Sequence, residues 1–161
     1  MQPGRLAIVK IGEGMMSSRE SERQNLLIDP AKADTFASPK PFQRFMKLLV
    51  DPDTFPKTPL TVAMVRYPPG LQGPFHVHRK TTEIYFVLSG ELTPTVEGRR
   101  YRVKRGQLLF IPPGKEHRAA NRGKGACRFM TINTPLAEDV PELRVRKTWQ
   151  KVNRRKSLKG S

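Results

Sequence analysis

Cysteine is almost missing from this chain. Cys127 is its single thiol, so no internal disulfide can form and a reducing compartment is tolerated. Long hydrophobic runs are missing as well: the longest, Ile84 to Leu88, is far short of the roughly 20 apolar residues of a membrane-spanning helix. No membrane partner is therefore expected. Nothing long and apolar follows Leu6 to Val9, as a secretion signal would require, and a cytoplasmic protein is expected. Acidic residues are scarce, 14 against 30 basic, which leaves a formal net charge of +16. Half of that excess lies between Arg144 and Ser161, which holds eight basic residues and no acidic one. Such a field attracts small anions and polyanions, although a solvated basic tail that keeps the protein soluble is the simpler account. A helix-turn-helix does not fit in the 18 residues from Arg144 to Ser161, so a nucleic-acid partner is not expected.

With 161 residues, 37% hydrophobic and 27% charged, the chain has the length and composition of one globular domain. Residues 1–40 are polar and irregular and are expected to form an N-terminal arm. Residues 41–143 are expected to form the folded domain, and 144–161 a basic C-terminal tail. Between Phe42 and Val50 two patterns compete. Phe42, Phe45, Met46 and Leu49 have helical spacing, whereas Met46, Leu48 and Val50 alternate as in a strand.

From Thr61 onward, short β-branched and aromatic runs recur about every ten residues, as in an all-β sandwich or barrel. The expected strands are Thr61–Tyr67, Phe75–His78, Glu83–Leu88, Leu92–Val96, Arg99–Val103, Leu108–Ile111, His117–Asn121 and Cys127–Thr134. Turn chemistry separates them, notably Pro68-Pro69-Gly70, Ser89-Gly90, Arg105-Gly106 and Pro112-Pro113-Gly114. No period of roughly 20–50 residues is visible, which argues against solenoids and propellers.

Histidine is rare, with three in the chain, and two of them form His76-Val77-His78. Residues i and i+2 of a strand project from one face, so both imidazoles can meet one ion. Glu83 follows across the polar turn Arg79-Lys80-Thr81-Thr82, which can return the chain as an antiparallel neighbour. His117 follows a second sharp turn. Three imidazoles and a carboxylate form a mixed N/O set that suits a first-row divalent metal and leaves positions open.

These residues sit in a longer pattern. Gly70, His76, His78, Glu83 and Gly90 have the spacing of one motif; Gly106, Pro112, Gly114, His117 and Asn121 have that of a second. Together they resemble the two conserved motifs of the cupin superfamily, with every fixed position filled. The resemblance runs from Gly70 to Asn121 and more loosely from Thr61 to Thr134. It implies an all-β, cupin-type β-jelly-roll barrel in which His76, His78, Glu83 and His117 bind one divalent transition metal ion: Fe, Mn, Ni, Cu, Co or Zn. It also implies a strand rather than a helix at Phe42–Val50. Glycines 70, 90, 106 and 114 are expected at turns where a Cβ would clash.

By the alternation that turns Glu83 inward, Tyr85 and Val87 also face the cavity. Tyr85 is the candidate catalytic residue, as a proton or hydrogen-bond donor to substrate, or else a lining aromatic. Phe110 and Asn121 are expected to contact substrate, and small Ala119 to leave room for it. Arg66 would offer a fork to a carboxylate or phosphate if it faced inward, where Met64 and Arg66 compete with Val65 and Tyr67. No Ser-His-Asp set is available once the histidines serve a metal, and Gly123-Lys124-Gly125 lacks phosphate-loop spacing. The expected function is metal-dependent, dioxygenase-like oxidoreduction of a small anionic organic molecule. The alternatives are isomerisation or lysis, as of a sugar phosphate, and non-catalytic binding of a small ligand. A homodimer formed through the arm and edge strands is expected.

Overall fold

The computed structural model describes residues 26–41 and 43–152. Most of the expected arm, Phe42 and the basic residues from Arg154 onward lie outside the described residues. Among the described residues thirteen strands and one helix follow in chain order: β1 (Thr35–Ala37), β2 (Phe45–Val50), β3 (Thr61–Tyr67), β4 (His76–Val77), β5 (Thr82–Ser89), β6 (Glu91–Leu92), β7 (Thr95–Val96), β8 (Arg99–Arg100), β9 (Val103–Lys104), β10 (Leu108–Ile111), β11 (Glu116–Arg118), β12 (Cys127–Thr134), α1 (Glu142–Thr148) and β13 (Gln150–Val152). Among the described residues no helix is long and apolar enough to cross a membrane.

The strands form a β-jelly roll. A seven-stranded sheet in the order β10-β5-β12-β3-β2-β1-β13 faces a four-stranded sheet in the order β4-β11-β7-β8, with the ribbon β6-β9 beside them. Every ladder is antiparallel. Alternation decides what enters the barrel. In β3, Thr61, Ala63, Val65 and Tyr67 are buried, while Val62, Met64 and Arg66 lie on the outer face. Register then aligns inward rows across strands. Leu109, Tyr85, Thr131, Ala63 and Leu48 form one such row. Phe129, Val65, Met46 and Phe36 form another. Burying each large apolar side chain contributes about 1.5–3 kcal/mol before entropy is counted. Cys127 is buried at the start of β12, and burial pushes its thiol up to about 12, so it packs and does not react.

Phe45–Val50 is a strand, as the resemblance implied. Its core face comes from Met46 and Leu48, and the helical spacing of Phe45 and Leu49 is overridden by pairing with β3. Two expected strands are broken. Leu92–Val96 divides at Thr93-Pro94, where proline has no N–H to give a ladder and its carbonyl accepts from Tyr101 N at 2.9 Å. Arg99–Val103 divides because β8 pairs with β7 whereas β9 pairs with β6. Gly90 has φ +75°, and a Cβ there would meet the Ala126 carbonyl oxygen at 2.6 Å, so that turn demands glycine.

The large sheet extends past both expected boundaries of the 41–143 domain. β1, from the arm, pairs with β2 and with β13, from the tail. α1 precedes β13 and buries Val145, and Trp149 packs on the core just after it. Arg146 fastens the helix by donating from Nε to Asp51 Oδ2 at 2.7 Å and from Nη2 to Thr54 Oγ1 at 3.0 Å. Part of the basic tail therefore belongs to the packed structure, because its apolar residues cover one end of the barrel.

Candidate metal centre

β4 and β11 pair with His76 opposite His117, which brings the first and third histidines face to face. His78 follows β4, where its carbonyl accepts from Gly114 N at 2.8 Å, so the Pro-Pro-Gly turn is tied to the His-x-His segment. Glu83 enters from β5 on its inward face. The four ligand atoms lie within 4.8 Å of one another. Glu83 Oε2 stands 2.7 Å from His117 Nε2, 3.6 Å from His78 Nε2 and 3.7 Å from His76 Nε2.

The outer ring nitrogens orient the imidazoles. His117 Nδ1 is 2.8 Å from the Lys115 carbonyl and His76 Nδ1 is 3.1 Å from that of Pro74. A carbonyl only accepts, so each Nδ1 carries a proton and each ring is turned with its Nε2 toward Glu83. His78 is buried with neither ring nitrogen hydrogen-bonded. Such an unpartnered buried nitrogen is costly, and a cation at the convergence point would satisfy it. Burial opposes the charge on Glu83, but the imidazoles around it, His117 first and then His76 and His78, outweigh it and hold the carboxyl well below its ordinary range. The donor set fits a divalent transition metal.

Tyr85 lies inward on β5, as expected, and donates from its hydroxyl to Glu83 Oε2 at 3.1 Å. Burial, reinforced by the Glu83 charge, pushes its phenol well above the usual range, so it remains a donor. Three other expected site residues are placed elsewhere. Phe110 is 58% exposed, because Leu109 and Ile111 take the inner face of β10. Arg66 lies on the outer face of β3, its guanidinium 5.9 Å from the Phe45 ring centroid, because Val65 and Tyr67 point inward. Asn121 is buried but committed to the backbone. Its amide nitrogen donates to the carbonyls of Tyr67, Pro68 and Gly125 at 2.8–3.2 Å, and its oxygen accepts from Gly123 N at 3.0 Å. Asn121 thus holds loops together and has nothing left to offer a substrate.

A cavity adjoins His76 and Glu83, walled by Met46, Val65, Tyr85, Ala119 and Phe129. Its remaining lining includes Arg44, Glu142 and Trp149, none of which was expected from sequence. A signal existed for Arg44: it precedes Met46 and Leu48 by two and four residues, so strand parity turns it inward with them.

The model of the Cupin domain family matches residues 63–133, which include all four ligands and both motifs. The chain contains a cupin domain. Among relatives, a segment of the endoribonuclease YbeY of Myxococcus xanthus is 39% identical over 83 residues, covering 52% of this chain and 27% of that protein. The chain therefore spans about a quarter of that relative. The oxalate-binding protein of Thermotoga maritima is 30% identical over 70 residues, 44% of this cupin chain and 58% of the relative. In fold, the chain is similar to the crystal structure of a predicted oxalate decarboxylase from Thermotoga maritima. That similarity has a TM-score of 0.63 at 21% identity and covers 69% of this chain and all of the other.

Proposed function

We propose that this cupin domain holds one divalent transition metal on His76, His78, Glu83 and His117 and acts as a metal-dependent oxidoreductase on a small organic anion. The observation that carries the reading is the convergence of three imidazole nitrogens and one carboxylate oxygen, with an apolar cavity on the His76 and Glu83 side. Bound there, the ion would supply Lewis acidity and, if redox-active, electron exchange with substrate or oxygen. The protein's own groups do the rest. Tyr85 steadies the Glu83 carboxylate, and Met46, Val65 and Phe129 keep bulk water from the reacting end. The cavity offers about 40 Å³, where one water needs roughly 10–15 Å³. That favours a short acid over a sugar phosphate. The oxalate-binding protein from Thermotoga, similar over 58% of its length, adds support for a short acid.

The test is elemental analysis of protein purified without a metal-affinity step, beside His76→Ala. About one redox-active ion per chain, lost in the variant, is the expected result, followed by oxygen consumption with short organic acids. Stoichiometric zinc without oxygen consumption would overturn the oxidoreductase reading and leave a binding or Lewis-acid role. No metal in either protein after reconstitution would overturn the centre. The reading includes a homodimer. Its support is the edge strand β10, which carries exposed Leu108 and Phe110, and a monomer in sedimentation at micromolar concentration overturns it.

A further inference from the structure

The cavity's far end is built from residues outside both cupin motifs. Arg44 stands just before β2, while Glu142 opens α1 and Trp149 follows it. The Arg44 guanidinium stacks 5.1 Å from the Trp149 ring centroid, and its Nη1 donates to Tyr67 Oη at 3.4 Å. Gly73 lies beside the pair: a Cβ there would crowd Tyr67 Oη at 3.1 Å and touch Nη1 at an ordinary 3.5 Å. Yet Arg44 Nε is buried and has no hydrogen-bond partner. Glu142 is 5% exposed. Its Oε1 accepts from Thr131 Oγ1 at 3.1 Å, whereas its Oε2 is also buried without a partner.

Two unsatisfied buried polar atoms on residues that line one cavity are costly, because each has lost its water without replacement. A direct ion pair between Arg44 and Glu142 would relieve both, and among the described residues none is formed. The guanidinium is instead clamped by an aromatic face, which fixes its direction and leaves donors free.

We infer that Arg44 anchors the carboxylate of the substrate and that Glu142 hydrogen-bonds a second oxygen of the same molecule. The substrate class is a short organic acid with a carboxylate at the Arg44 end and an oxygen donor toward His76 and Glu83. The second half of this assignment rests on the metal-centre reading; the Arg44 half does not. Burial, with the Glu83 charge adding to it, pushes the Glu142 carboxyl up toward the neutral form that can donate. Matching a planar fork to a carboxylate explains why arginine serves here better than lysine.

The test is calorimetric titration of the full chain, loaded with redox-silent zinc, with oxalate and with malonate. Arg44→Gln is expected to weaken the tighter-binding acid about 30-fold, the loss of one charge-assisted contact, while zinc stays at one per chain. Arg44→Lys keeps the charge but loses the fork and is expected to bind about tenfold more weakly, which keeps the test decisive if the glutamine variant fails to fold. Binding equal to wild type in either folded variant would overturn the assignment. So would wild-type protein that takes zinc but neither acid, a result that leaves the metal centre standing. If the chain takes no metal, the same titration without it separates the two readings. Residual acid binding lost in Arg44→Gln then sustains the anchor, and equal binding overturns it.

Discussion

The two ends of the cavity differ in how their residues arrive. At the metal end, His76, His78 and Glu83 come from one short stretch of chain that passes from β4 in the small sheet to β5 in the large one, rather than from the antiparallel return expected, and His117 comes from a strand paired directly with β4. At the other end, Arg44 comes from before β2, and Glu142 and Trp149 from beside β13, near opposite limits of the described chain. The first end depends on local geometry, two-residue alternation and tight turns. The second exists only because β1 pairs with β13 and α1 is fastened to the loop after β2. On the proposed reading this is a division of labour, with metal binding held by the motif and acid recognition by the flanks.

The sharpest way to break this contrast is at the metal end. His117→Ala should abolish stoichiometric metal, read by elemental analysis, while the far end stays folded by circular dichroism; retained metal would mean the ligands act less as a unit than their spacing indicates. Next in size, Asn121→Ala should cost about 3 kcal/mol, because three carbonyls lose their donor. That corresponds to a melting temperature lower by roughly 6–12 °C. Metal content and acid affinity should be unchanged, and a selective loss of affinity would restore Asn121 to the substrate site.

Arg146→Ala probes the flank. Burial works against the Asp51 charge, but hydrogen bonds from Arg146 and Thr54 outweigh it and hold the carboxyl below its ordinary value of 3.8. The pair therefore stabilises the fold above that pH and loses its contribution as pH falls through the lowered folded value. The variant should melt about 4–8 °C lower at neutral pH, for about 2 kcal/mol. Its difference from wild type should shrink below about pH 4, which a pH series of thermal melts would follow. Acid binding should weaken with it and metal binding should not. The smallest effect on the single chain is expected for Phe110→Ser, within about 0.5 kcal/mol in its own stability and with no change in either ligand, while the proposed dimer weakens. A change in acid affinity there would mean that the outer face of β10 reaches the site after all.

Much of the metal end was legible in sequence. His76 and His78 share a face because a strand has period two, and glycines at 70, 90, 106 and 114 adopt positive φ at the turns that bring the ligands back. The same rule left Arg66 and Phe110 undecided or misassigned, since alternation says which residues share a face but not which face is inward. That choice came from the neighbours: Val65 and Tyr67 are the apolar partners of Phe129, and Leu109 lies opposite Tyr85. Asn121 was in place but its role was not, because hydrogen-bond partners as distant as Tyr67 leave no trace in spacing.

Composition, turn chemistry and the two histidine motifs therefore pointed to the all-β architecture and to the cluster of His76, His78, Glu83 and His117, because those signals act over a few residues, where the backbone has few choices. Folding settled which face of each strand looks inward and what closes the barrel beyond the motifs. Arg44 and Trp149 meet across more than half the chain. Contacts of that range depend on how whole sheets and a terminal helix pack, and many sequences with the same local pattern could close the barrel differently.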